Sequence, residues 1–123
     1  MAKITGLGGI FYKVADPDAT RAWYQDNLGI GGEWGAMFPF KKDDSEGFAL
    51  LSPFKADSDY FGADKAFMIN LRVTDLDTLL EGLNAAGIEV ITKPEWDDPM
   101  TGRFARIHDP EGNAIELWEP PAG

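Results

Sequence analysis

Asp109-Pro110-Glu111-Gly112-Asn113 runs straight into Ala114-Ile115-Glu116-Leu117-Trp118-Glu119-Pro120. The first five residues form a tight-turn sequence. Proline pre-sets one turn dihedral, and glycine and asparagine tolerate positive φ. The residues that follow alternate apolar and polar, like a half-buried strand. Together they predict a rigid hairpin corner that holds one carboxylate, Glu116, at a fixed place on a strand. A carboxylate held in this way is a usual starting point for a metal or acid–base site.

Working outward, the chain carries a weak internal repeat. Gly9-Ile10-Phe11-Tyr12-Lys13-Val14-Ala15-Asp16-Pro17-Asp18 resembles Met68-Ile69-Asn70-Leu71-Arg72-Val73-Thr74-Asp75-Leu76-Asp77. Val14, Asp16 and Asp18 fall on Val73, Asp75 and Asp77, and Gly29 and Gly87 close the two segments. Asp16 and Asp75 are expected helix N-caps, Pro17 suits a first helical position, and Gly29 and Gly87 suit left-handed stops. Leu76, Leu79, Leu80 and Leu83 mark one helical face, and Ala19, Ala22 and Trp23 are expected to mark the core face of the first helix. Strand-like segments follow each helix: Ala36–Phe40 and Phe48–Leu51, separated by the charged turn Lys41–Glu46, then Val90-Ile91, Arg103–Ile107 and Ala114–Trp118. Each half therefore reads as strand–helix–strand–strand–strand, with Asp57–Asp64 as the link. The prediction is one α+β domain over residues 1–123, of two tandem βαβββ modules at about 1–60 and 61–123, forming a cup-shaped, helix-backed mixed sheet.

Strand alternation assigns faces. Ile69, Leu71 and Val73 oppose Met68, Asn70 and Arg72. Ile10, Tyr12 and Val14 oppose Gly9, Phe11 and Lys13. Ile115 and Leu117 oppose Ala114, Glu116 and Trp118, while Phe104 and Arg106 oppose Ala105 and Ile107. The helix side is apolar. The other side mixes aromatics with polar groups and predicts a concave surface lined by Phe11, Met68, Asn70, Arg72, Phe104, Arg106, Glu116 and Trp118. Apolar walls with a few convergent polar groups describe a small-molecule pocket.

Composition narrows the partners. The 123 residues are 44% hydrophobic, which suits one compact domain with a core. The formal charge of −10 argues against nucleic acid and anionic membranes. The absence of cysteine excludes disulfides, thiolate metal sites and a cysteine nucleophile. Met1-Ala2-Lys3-Ile4-Thr5-Gly6 lacks a signal-like apolar run, and no stretch approaches membrane-spanning length, so a cytoplasmic protein is expected. Gly6-Leu7-Gly8-Gly9 precedes a strand rather than opening a helix, which is the wrong context for a phosphate cradle. Four Trp, eight Phe and three Tyr make the chain aromatic-rich. Trp23 is expected in the core, while Trp34, Trp96 and Trp118 are expected near the mouth, where rings could sandwich a flat or cationic ligand.

The paired halves resemble the vicinal oxygen chelate superfamily of glyoxalases, bleomycin-resistance proteins and extradiol dioxygenases. The resemblance rests on Asp109–Leu117, on Val14-Ala15-Asp16-Pro17 with Trp23-Tyr24 and Leu28-Gly29, and on Val73–Asp77 through Ala86-Gly87-Ile88. It implies the fold, and for metal-dependent members a ligand opening the first strand of each half plus a glutamate on the last strand. Counting back from Asp16 and Asp75 places Gly9 and Met68 at the first two positions, and neither suits a hard divalent cation. Only Glu116 remains, and the one histidine, His108, stands at a strand end. No cofactor is expected; the alternative is a divalent metal on loop carboxylates such as Asp43, Asp44, Glu46, Asp57, Asp59, Asp97 and Asp98.

Glu116 then has three readings: pairing with Arg72 or Arg106, binding a cationic or hydrogen-bonding ligand, or acting as a general base. Asn70 could orient a ligand. The first functional reading is a metal-free binding or sequestering protein, similar to the bleomycin-resistance branch, with a cationic or aromatic ligand. The resemblance implies a homodimer. The second reading is a superfamily enzyme (a lyase, isomerase or dioxygenase) acting on a small oxygenated substrate. The third is a protein-interaction module.

Overall fold

The computed structural model describes residues 2–32, 35–42 and 45–121; Trp34, Asp43 and Asp44 lie outside the described residues. The elements are β1 (Lys3–Val14), α1 (Pro17–Leu28), β2 (Ala36–Lys42), β3 (Ser45–Lys55), β4 (Phe67–Thr74), α2 (Leu76–Ala85), β5 (Arg103–His108) and β6 (Ala114–Glu119), with a short 3-10 turn at Pro94–Trp96. The architecture is α+β, as the sequence predicts. The chain divides into two compact units. One is Gly9–Met68; the other runs from Ile69 onward and includes the N-terminal stretch up to Gly8.

In the Gly9–Met68 unit, β1 pairs in parallel with β3, from Gly9 opposite Leu50 to Val14 opposite Lys55. β2 returns antiparallel along β3. Asp16 caps α1 as expected, its Oδ1 accepting the Ala19 N–H at 3.0 Å. Pro17 begins the helix and Gly29 ends it at φ 69°. The expected core face is corrected, however. Ala19, Ala22 and Trp23 are exposed, and Trp23 keeps 55% of its surface in solvent. The half-buried positions are Pro17, Thr20, Arg21 and Tyr24, which share a different side of the helix. Tyr24 approaches Tyr12 of β1, and Trp23 meets Tyr24 edge-on at 5.2 Å between ring centroids. An aromatic stack forms elsewhere in the unit: Phe54 meets Phe11 at 5.1 Å and Tyr60 at 5.7 Å.

In the second unit, β6 lies between two partners. It runs parallel to β4 and antiparallel to β5. Asp75 caps α2 through Thr78 N–H at 3.4 Å, and Glu119 Oε1 accepts the Leu76 N–H at 2.6 Å. That second cap ties the helix start to the end of β6. The leucine face of α2 packs as predicted. Leu76 joins Val73, Ala105 and Leu117 in a buried cluster, with Leu79, Leu80 and Leu83 around it. Gly87, at φ 81°, stops the helix, and Ile88 N–H reaches back to Leu83 O at 3.0 Å. The strand expected at Val90-Ile91 is reduced to one bridge, in which Ile91 and Arg106 exchange backbone hydrogen bonds of 2.9 and 2.8 Å.

The hairpin corner between β5 and β6 is organised by Asp109. Its Oδ1 accepts from Glu111 N and Asn113 N, both at 2.9 Å, and its Oδ2 accepts from Asn113 Nδ2 at 3.1 Å. The backbone closes through Asp109 N to Asn113 O at 3.0 Å, and Gly112 supplies φ 84°. This is an Asx turn, in which a side-chain carboxylate stands in for a backbone acceptor. Asp109→Ala is therefore expected to lower unfolding free energy by about 1–3 kcal/mol in a denaturant titration, because the orphaned turn amides lose a charged acceptor.

Burial, with the Tyr24 phenol beside it, pushes Tyr12 from its ordinary 10.0 up to about 12. The folded state thus prefers the protonated phenol. Its contribution is complete below pH 10.0 and disappears as pH rises through about 12. A spectrophotometric phenolate titration should show one tyrosine ionising late, together with falling thermal stability; Tyr12→Phe should remove the late phase.

Candidate functional site

Strand register brings six of the eight predicted lining residues into two rows on one face of the second unit. Asn70 of β4 lies opposite Glu116 of β6, which lies opposite Arg106 of β5. One step along, Arg72 pairs with Trp118, which pairs with Phe104. The other face carries Ile69, Ile115 and Ile107, then Leu71, Leu117 and Ala105. Because side chains alternate, the pairing that puts Leu117 under α2 also puts Glu116 on the opposite side. Phe11 and Met68 belong to the Gly9–Met68 unit, where both are buried.

The polar side chains of this face are buried as deeply as the core residues Val73, Ala105 and Leu117. Asn70 and Arg72 are each 2% exposed and Glu116 only 1%, whereas Ile69, on the apolar side of the same strand, is 37% exposed. A carboxylate so far from water costs several kcal/mol unless it is paired. Glu116 is paired on both flanks: Asn70 Nδ2 donates to Oε1 at 2.7 Å, and Arg106 Nη2 lies 3.9 Å from Oε2. The Asn70 amide thus turns its nitrogen toward Glu116. Burial also lowers the pKa of Arg72 from its ordinary value.

Arg106 is held by more than Glu116. Its guanidinium carbon sits 4.9 Å from the centroid of Trp96, and its backbone bridges to Ile91. The second cation near Trp96 is Lys93, whose Nζ is 5.5 Å from the ring. Trp96, expected to greet a cationic ligand, is thus engaged by cations of its own chain. Trp118 stacks nearly parallel on Phe104 at 6.3 Å and donates its indole N–H to Thr101 O at 2.6 Å. Asp97 and Asp98, considered as metal-ligating carboxylates, accept instead from Phe104 N at 3.1 Å and Met100 N at 2.7 Å. His108 ends β5, exposed, opposite Ala114.

Gly8 is the residue that sequence reasoning missed. A Cβ built there would stand 1.8 Å from Asn70 Oδ1 and 3.0 Å from a Trp118 ring carbon. With Asn70 placed as it is, a methyl at position 8 would force the amide oxygen to shift. The run Gly6-Leu7-Gly8-Gly9 was the available signal, but it signals close backbone approach rather than phosphate binding.

Comparison with known proteins places the chain in a family. The family model described as Glyoxalase/Bleomycin resistance protein/Dioxygenase superfamily matches residues 6–117, and the chain belongs to that superfamily. Methylmalonyl-CoA epimerase from Mycobacterium tuberculosis is similar in structure, with 23% identity, 97% of this chain and 90% of that chain covered, and a TM-score of 0.63. The Mn(II)-bound glyoxalase from Novosphingobium aromaticivorans gives 24% identity, 97% and 40% coverage, and a TM-score of 0.58. A catechol 2,3-dioxygenase gives 27% identity, 98% and 41% coverage, and a TM-score of 0.59. This chain thus spans about two fifths of the length of the latter two. No curated protein sequence matches the chain. Among the described residues, no helix is long and apolar enough to cross a membrane.

The residues present do not fit the metal that the superfamily implies. Gly9 offers no donor and cannot simply be exchanged for one, since a Cβ there would stand 2.3 Å from Leu50 O. Met68 offers a thioether, a soft ligand poorly matched to hard divalent ions. Among the described residues no group of three or more His, Cys, Asp or Glu could hold an ion.

The Gly8 contact is testable by a double-mutant cycle. Gly8→Ala should destabilise by about 1–3 kcal/mol through overpacking. In an Asn70→Ala background the added methyl finds space, so the two changes should couple by at least about 0.5 kcal/mol in denaturant unfolding. Additive effects would show that the methyl is accommodated elsewhere.

Proposed function

We propose that the protein is an enzyme of this superfamily that moves a proton on a small oxygenated substrate, as an isomerase or lyase does. The reading rests on Glu116, a carboxylate at 1% exposure whose two oxygens face different neighbours, an amide and a guanidinium. Structural neighbours that are themselves enzymes, including an epimerase, favour it over the sequestering protein that the sequence first suggested. At these identities the neighbours speak to the fold, and the substrate is left to the site's own chemistry.

In this reading Glu116 takes a proton from a carbon next to a carbonyl or carboxyl group. The C–H electron pair moves into an enolate, and the negative charge gathers on the substrate oxygen. Arg72 and Arg106 are guanidinium donors suited to that oxygen. Protonation of the opposite face by solvent, with Glu116 giving up its own proton to solvent, gives an isomer, while expulsion of a leaving group from the neighbouring carbon gives a lyase product. Asn70 keeps Glu116 Oε1 oriented and Gly8 keeps Asn70 in place. A dry site strengthens each of these interactions.

Deuterium uptake from solvent reads this chemistry whatever the product. The protein is incubated in D2O with a panel of small keto acids, 2-substituted acids and acyl thioesters, and α-proton loss is followed by NMR. At least one compound should exchange, and Glu116→Gln should slow that exchange by about 100-fold or more while leaving the fold intact. Exchange that proceeds equally well with Glu116→Gln would sink the assignment of the base.

A further inference from the structure

We infer that Arg106 is the fixed cation of this site, doing for Glu116 and for the developing oxyanion what a divalent ion does in metal-dependent members of the superfamily, and that the site works without a resident metal. This rests on the reading of the Asn70–Glu116–Arg106 row as the reaction site.

The donor set carries the first part of the argument. The positions where a metal ligand would open each half hold Gly9 and Met68. The Gly9 position is closed by backbone: its φ is 155°, and any Cβ would meet Leu50 O at 2.3 Å, Leu50 N at 2.9 Å and Leu50 C at 3.0 Å. Those are main-chain atoms of the paired strand β3, so a ligating side chain at this position would require β1 and β3 to separate.

The second part concerns what stands beside Glu116 instead. A guanidinium is permanently charged at physiological pH, planar, and suited to carboxylate and oxyanion geometry. Arg106 is placed by the strand pairing that places Glu116, so cation and carboxylate arrive together on facing positions of one hairpin. Trp96 covers the guanidinium at 4.9 Å, and the Ile91 bridge holds the backbone from the other side. With side-chain exposures of 8% for Arg106 and 1% for Glu116, the pair is removed from bulk water, where a fixed charge acts on a developing enolate with little screening. A divalent ion beside Glu116 would compete with that guanidinium for the same carboxylate oxygen.

Two measurements test the inference independently of turnover. Chelator-treated protein is titrated with MnCl2 while the electron paramagnetic resonance signal of free aqueous Mn(II) is recorded. Wild type and Glu116→Gln should give superimposable curves. One Mn(II) bound per chain in wild type and absent in Glu116→Gln would overturn the inference. Thermal melts supply the second arm. Arg106→Gln should lower the melting temperature, Arg106→Lys should recover part of the loss, and the double variant Arg106→Gln/Glu116→Gln should melt above Arg106→Gln alone, because the carboxylate that loses its Arg106 partner is removed with it. A double variant no more stable than Arg106→Gln would show that Arg106 is not the cation of Glu116. Failure of deuterium exchange would remove the enzymatic reading and leave both of these results standing.

Discussion

The burial of one carboxylate sets the terms for the second unit. Glu116 sits on the central strand of a three-strand set, and both flanking strands must supply a group that satisfies it. Asn70 does so from the parallel side and Arg106 from the antiparallel side. Neither could be moved by one position without turning to the leucine face. The register that serves the hydrophobic cluster of Val73, Leu76, Ala105 and Leu117 is thus the register that serves the polar row. A one-residue slip would put Glu116 among leucines and Leu117 against Arg106, so the stability of the core and the integrity of the candidate site are one constraint rather than two.

Much of this was legible in the sequence, for reasons that differ from element to element. The β5–β6 hairpin could be read because Asp109-Pro110-Glu111-Gly112-Asn113 determines its own geometry locally. α2 could be read because four leucines at helical spacing leave one solution for its buried side. α1 could not. Pro17–Leu28 contains few large apolar residues, and a face drawn through Ala19, Ala22 and Trp23 competes with one drawn through Pro17, Thr20, Arg21 and Tyr24. Tertiary contact with Tyr12 decided in favour of the second, and periodicity carries no record of that partner.

The site was legible as a face but not as a network. Alternation alone separates Asn70, Arg72, Arg106, Glu116 and Trp118 from the core residues. It does not say which arginine meets Glu116, nor that Trp96 meets an arginine of its own chain. It also cannot show that the polar row is buried as deeply as the core, with Glu116 at 1% exposure beside Leu117 at 2%. Gly8 was hidden for a related reason: a missing side chain has meaning only once the atom that fills its place is known.

The Asp109 turn has a further consequence for how such a site can change over evolutionary time. Arg106 and Glu116 belong to a single hairpin whose corner is fixed by its own side chain. The charge pair therefore travels as a cassette. Substitutions elsewhere leave the pair undisturbed, while a single insertion or deletion between Asp109 and Asn113 would invert every residue of β6 at once. The pair and its surroundings thus lie in segments that tolerate change very differently, and variation among related chains should concentrate away from the corner.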